Sequence, residues 1–226
     1  MDVAMSIIVS YDGTPNDDDA LTLGRMLAGE GVSLSLAYVR HAREYDPARE
    51  EIAQHDAERR LEHGAALLGD PELARHIVFN PSTGEGLAEL AAREGAAMVV
   101  FGSDYRTPPG RVEPGVSAQR LLEGGPVAVA VAPAGLRTRA EAASIRTIAV
   151  SPAVADPAAH QTAEALAEML SAEVLNGSGA GADLIIVGSR ESVPEGRIGL
   201  SGATRSELDS ARSSVLVVPR GTPVDF

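Results

Sequence analysis

The chain has 226 residues, enough for one large domain or two small ones around a buried core. A net charge of −13 and an aromatic content of 3%, with no Trp, argue against both the basic face and the stacking platforms of a nucleic-acid binder. The absence of Cys excludes disulfides, zinc fingers, iron–sulfur ligation and thiol catalysis.

The chain begins MDVAMSIIVSYDG, which lacks a basic n-region and whose apolar run is too short for a secretion signal. No stretch approaches the length of a membrane span, so a cytoplasmic protein without membrane or nucleic-acid partners is expected. Within this start, MSIIVS reads as a short β-branched strand, followed by a 3.6-period helix over DDDALTLGRMLAGEG. VSLSLAYVR is a second strand, PAREEIAQHDAERRLEHGAALLG a long polar helix, and RHIVF a third strand. TGEGLAELAAREG is a helix closed by Gly95 as its C-cap. AMVVFGS, a loop, the helix VSAQRLLEGG and the strand PVAVAVAP complete five strands and four helices. After a polar linker, AGLRTRAEAAS (134–144), come IRTIAVS, the helix DPAAHQTAEALAEMLSA, a possible strand EVL and the loop GSGAGAD. LIIVGS, a further loop, TRSELDSA and SSVLVVP end the chain. Strands alternating with helices imply a parallel sheet covered on both faces.

The two parts repeat each other. VVFGS (99–103) matches IIVGS (185–189), GRVEPG (110–115) matches GRIGLS (196–201), and Pro133 matches Pro219, all at an offset of 86. The first strands, IIVS (7–10) and IAVS (148–151), match at an offset of 141, so the second copy lacks about 55 residues. One strand and two helices are expected to be missing from it. The domains implied are 1–135 and a shortened 145–226.

Two loops of the first copy carry chemistry at the carboxyl ends of strands, where open parallel sheets bind ligands. In SYDGT (10–14), Asp12 can accept hydrogen bonds from an adenine amino group or a ribose hydroxyl, while Asp17, Asp18 and Asp19 are expected to cap the next helix. In the loop containing PPGRVEPGVS (108–117), Gly102 ends the strand, and Gly110 and Gly115 can take positive φ. A helix beginning at Val116 would offer free amides to phosphate, with charge-assisted help from Arg106 and Arg111. The spacing is neither a Walker A nor a dinucleotide fingerprint, so the glycines alone are weak evidence. The bland alternative is a turn and an ordinary loop.

The YDGT strand end, the VFGS strand end, GRVEPG, a short helix with LL and PVAVAVAP together resemble the universal stress protein family, in its tandem two-copy form. That resemblance implies two Rossmann-like units of the adenine nucleotide alpha hydrolase type, the first five-stranded, and ATP or another adenine nucleotide as ligand, with Mg²⁺ accompanying it. It implies a site built from Asp12, Gly13, Thr14, Val39, Gly102, Ser103, Arg106, Gly110, Arg111, Gly115, Val116 and Ser117. Two positions depart from the longer loop form GSxxRGxxGRVxPGS. Thr107 stands where a glycine is expected, and Val116 where a hydroxyl would touch phosphate. A left-handed Thr is strained, so the loop is expected to follow another path. Pro108, Pro109 and Pro114 stiffen it and remove three donors.

The second copy has Pro152 and Ala153 after its first strand, Ser201 at the place of Gly115, and the negative Glu191 and Glu195. It reads as a structural partner, its last strand SVLVV (214–218) pairing with VAVAVA (127–132); a homodimer is also possible. No GxSxG, HExxH or paired-carboxylate pattern supports catalysis beyond a slow ATPase. His41, His55, His63, His76 and His160 are scattered, and Asn176–Ser178 forms a glycosylation triplet without meaning in a cytoplasmic chain. The alternative to nucleotide binding is an interaction or assembly protein on the same fold.

Overall fold

The computed structural model describes residues 5–142, 144–175 and 181–226. The Asn176–Ser178 triplet and most of the GSGAGAD loop lie outside these residues. The first half runs β1 (Ser6–Ser10), α1 (Pro15–Leu27), β2 (Ser33–Arg40), α2 (Pro47–Leu68), β3 (Ala74–Phe79), α3 (Thr83–Glu94), β4 (Ala96–Phe101), α4 (Val116–Leu122) and β5 (Ala128–Val131). The second half runs β6 (Thr147–Val150), α5 (Pro157–Leu170), β7 (Glu173–Leu175), β8 (Leu184–Val187), α6 (Gly202–Ser210) and β9 (Ser214–Val217). EVL is thus a short strand, and among the described residues the second half carries one strand and two helices fewer than the first.

All nine strands form one sheet, ordered β3-β2-β1-β4-β5-β9-β8-β6-β7. Every neighbouring pair is parallel except β5–β9, which is antiparallel. The sheet is therefore a mostly parallel α/β arrangement in which strand order reverses at β1, the geometry that opens a crevice between the loops after β1 and β4.

Successive strand residues point to opposite faces, and both faces are buried, which is why the strands read as unbroken apolar runs. On one face, Ile7, Val9, Met98, Ala130 and Leu216 pack under α1, α2 and α5. On the other, Ile8, Val99, Val129, Val131, Val215 and Val217 pack under α3, α4 and α6. Both layers cross the β5–β9 seam without a break.

Helix ends follow local chemistry. Thr14 and Asp17 form a capping box at α1, while Asp46, Ser82 and Asp156 cap α2, α3 and α5. Gly69 and Gly95 close α2 and α3 in the left-handed region, as L residues rarely do. Helix α1 ends at Leu27, four residues before the end of the stretch read as helical. The linker, read as a polar stretch, winds into a 3-10 helix over Leu136–Ala142, with Leu136 buried against the first core layer.

The offset of 86 recurs in the hydrogen bonds. Ser103 Oγ donates to Ala132 O, and Ser189 Oγ to Val218 O. Gly110 N donates to Ala134 O, and Gly196 N to Arg220 O. Across the halves, Val112 N donates to Ala211 O while Ile198 N donates to Gly125 O, a reciprocal pair that brackets the seam.

Candidate functional site

Strand β1 delivers Tyr11 into the core and Asp12 to the surface of the crevice. Asp17, one turn into α1, shapes the loop between them: its Oδ2 accepts from the backbone N–H of Asp12 at 3.1 Å and of Thr14 at 2.9 Å, and from Thr14 Oγ1 at 2.7 Å. Gly13 turns at φ +83°, with Arg60 Cγ 3.7 Å from where a Cβ would stand. Arg60, reaching over from α2, donates to Asp12 O at 2.9 Å and lies 5.3 Å from the centre of the Tyr38 ring.

These residues enclose a cavity of about 240 Å³ between the ends of β1 and β2 and helix α2, lined by Asp12, Tyr38, Val39, His41 and Arg60. Among the described residues, nothing hydrogen-bonds the Asp12 carboxylate. Asp12 is open to solvent, yet neighbouring atoms crowd its carboxyl. That desolvation, then the charge of Asp17, pushes its pKa up to about 6 against the opposing pull of Arg60 and His41. Behind the cavity, buried Arg40 pairs with Glu50 at 2.7 Å and stacks 4.7 Å from the Phe79 ring, fixing the start of α2 to the end of β2.

The loop after β4 meets this crevice through Asn16, whose Nδ2 donates to the carbonyls of Ser103 at 3.0 Å and Asp104 at 2.7 Å. Gly102 is needed for that approach, because a Cβ there would stand 2.0 Å from Asn16 O. Ser103 is buried and holds the loop together, donating to Ala132 O and accepting from Glu113 N. Arg106 is exposed and stacks on Tyr105, 4.8 Å from the ring centre. Gly110 takes φ +80° but turns toward the 3-10 helix: a Cβ there would meet Arg139 Nη2 at 2.7 Å. Arg111 is exposed, Val116 is 82% exposed and Ser117 half-buried.

Three details differ from the expectations raised by the sequence, and Thr107 agrees with them. Gly115 sits at φ −66° and caps α4 in extended conformation, so the positive φ is confined to Gly110. Thr107, as expected, avoids the left-handed region; it lies buried and donates through Oγ1 to Glu113 Oε2 at 3.3 Å. Of the three aspartates, Asp17 alone serves the cap. Asp18 accepts from the buried Tyr11 hydroxyl, and Asp19 binds the far loop instead. The amides of the glycine loop, expected to face a ligand, turn mostly into the protein.

Sequence reasoning missed Asn16, Asp19, Arg60 and His41. Asn16 and Asp19 act on residues more than 85 positions away, and Arg60 is one of many charges on a polar helix; no local pattern marks any of them. In the second half the corresponding crevice holds Ala153 in place of Asp12, and Ser151 Oγ donates to the carboxylate of Glu207. Among the described residues, no group of three or more His, Asp or Glu is gathered for a metal ion, and no helix is long and apolar enough to cross a membrane.

The profile of the universal stress protein family matches residues 5–133, more than half the chain. The chain belongs to the universal stress protein family. A universal stress protein from Archaeoglobus fulgidus DSM 4304 shares the fold at a TM-score of 0.68 and 12% identity, over 96% of this chain and 99% of its own. A protein of unknown function from Pseudomonas aeruginosa PAO1 aligns at a TM-score of 0.54 and 15% identity, over 96% of this chain and 93% of its own. No curated protein matches the chain in sequence. Membership supports a stress-response type of role, and the fold places this family's parallel sheet under the crevice just described.

Proposed function

We propose that the chain is a tandem universal stress protein with domains 1–135 and 145–226, the second a shortened copy, and that the first half binds an adenine nucleotide in a stress response. The observation that carries this reading is Asp12, a carboxylate without a hydrogen-bond partner among the described residues, set at the mouth of a cavity beside Val39 and His41. Such a group suits an exocyclic amino group or a ribose hydroxyl, and Val39 and Tyr38 at the end of β2 line the same cavity. The second half supports the fold. Its crevice lacks the aspartate and carries the Glu207 carboxylate, which disfavours an anion.

A second reading is an interaction or assembly protein without nucleotide. It draws on Tyr105 and Val116, 68% and 82% exposed near the same loop, since large apolar groups in water often mark a contact surface. Native mass spectrometry of freshly purified full-length chain separates the two. A 1:1 adenine-nucleotide adduct, lost in Asp12→Ala, is the expected result; bare chain that also fails to take up added nucleotide favours the second reading.

A further inference from the structure

The amide inventory of the loop after β4 bears on which nucleotide the crevice can take. Between residues 104 and 114 the amides of Asp104, Thr107, Gly110, Arg111 and Val112 donate to backbone carbonyls, that of Arg106 to Asp104 Oδ1, and that of Glu113 to Ser103 Oγ. Pro108, Pro109 and Pro114 have none to give. Tyr105 is the one residue of this stretch whose amide is not engaged.

The same bonds recur 86 residues on, in the half that lacks the aspartate: Arg190, Val193, Gly196, Arg197, Ile198 and Gly199 donate to the corresponding acceptors. Bonds duplicated where no aspartate waits for a ligand serve the fold. Opening them for phosphate would leave the carbonyls of buried Ala134 and Ala211 unsatisfied, the second a cross-seam contact.

The charge around the loop points the same way. Asp104 Oδ2 lies 4.0 Å from the Cβ position of Gly115, and the Glu113 carboxylate accepts from Thr107 within the loop. Two carboxylates thus offset the exposed Arg106 and Arg111. Helix α4 starts at Val116 without a side-chain cap, so free amides are confined to its first turn, and one turn of amides holds one phosphate rather than a chain of three. The cavity at Asp12, about 240 Å³, is lined from β1, β2 and α2 and by no residue of the loop after β4, so it offers walls to a base and ribose and none to a phosphate chain.

Building on the nucleotide reading above, we infer that the crevice takes adenosine or an adenosine monophosphate, and that a magnesium triphosphate does not fit. The base and ribose are held at Asp12 and the end of β2, and any phosphate beyond the first stands in solvent.

Isothermal titration of the full-length chain with adenosine, AMP, ADP and ATP, each with and without Mg²⁺, tests this. The expected result is AMP binding at least as tightly as ATP, with dissociation constants unmoved by Mg²⁺. ATP binding about tenfold or more tighter than AMP, or binding that requires Mg²⁺, would overturn the inference while leaving the nucleotide reading intact. Silence with all four ligands, in protein shown by native mass spectrometry to be free of bound nucleotide, would overturn both.

Discussion

Ala130 faces Leu216 across the antiparallel β5–β9 pair, and the two are the same position of the repeat, 86 residues apart. Around them Val129 faces Val217 and Val131 faces Val215, so the repeat meets itself about a local two-fold through this pair. The parallel strands on either side of this pair would otherwise each end in an apolar edge strand, and the pairing satisfies those edges' N–H and C=O groups. The reciprocal bonds Val112 to Ala211 and Ile198 to Gly125 clamp the seam from the loop side.

The seam should therefore unfold as part of the whole. Val129 and Val217 are wholly buried on the α3–α4–α6 face. A lysine at either position puts an unpaired charge into that layer and should cost roughly 3 kcal/mol or more. Val129→Lys and Val217→Lys should each lower the urea midpoint of both halves together and expose residues 134–144 to protease. A variant with the parent's midpoint and protease resistance would show that the seam contributes little.

The carboxyl of Asp12 gives opposite pH slopes for stability and for binding. Its proton is held up to about pH 6 in the folded chain, whereas an unfolded aspartate releases it near 4. Between those values the folded chain binds more protons, so this group's contribution to stability falls as pH rises from about 4 to about 6 and is level above. Asp12→Asn should accordingly raise the melting temperature at pH 7 and leave it unchanged near pH 3.5. Nucleotide affinity should instead rise through pH 6, by roughly tenfold between pH 5 and 7, because the ionised carboxylate is the stronger acceptor. Thermal-shift and titration series at stepped pH read both slopes.

What the sequence disclosed, and what it hid, divides along a physical line. Alternating strand and helix periods, the C-cap at Gly95, and the offset of 86 are properties of neighbouring residues or of the chain compared with itself, and they lead directly to the sheet. That Asp12 follows the first strand is equally local, whereas the strand order that sets it at the reversal point is not. Nor is the direction of the loop amides. Gly110 has the positive φ its type permits, but whether its N–H meets a ligand or Ala134 O depends on chain 24 residues further on. Asp19 looks like a third capping residue because sequence shows its distance from the helix start and conceals the loop it touches.

Asp19 is fully buried and accepts from the amides of Gly135 at 2.7 Å and Arg137 at 2.8 Å, with the Arg137 guanidinium 3.4 Å away. Asp156 holds Gly221 N, the repeat counterpart of Gly135, in the second half. Asp19→Ala strands two amides and should cost about 3 kcal/mol, with Asp19→Asn costing less because one acceptor oxygen remains. Chemical denaturation should rank the parent above Asn above Ala. Equal loss in both variants would mean that the charge, rather than the acceptor, fixes the loop.

Gly102 and Gly115 should separate structure from binding. A methyl on Gly102 collides with the main-chain Asn16 O at 2.0 Å, so Gly102→Ala should lose several kcal/mol of stability with no ligand present, as overpacking with forced main-chain shifts does. Gly115 has an ordinary φ of −66° and nothing closer than the Asp104 carboxylate at 4.0 Å, so Gly115→Ala should fold like the parent, within about 0.5 kcal/mol. Gly115→Asp should fold too, and it places a third carboxylate beside Asp104 and Glu113. If the first phosphate lies near the start of α4, that variant should lose AMP-induced thermal stabilisation and keep that of adenosine. Loss of both ligands together would place the substitution's effect on the base and ribose side, and retention of both would remove the start of α4 from the site.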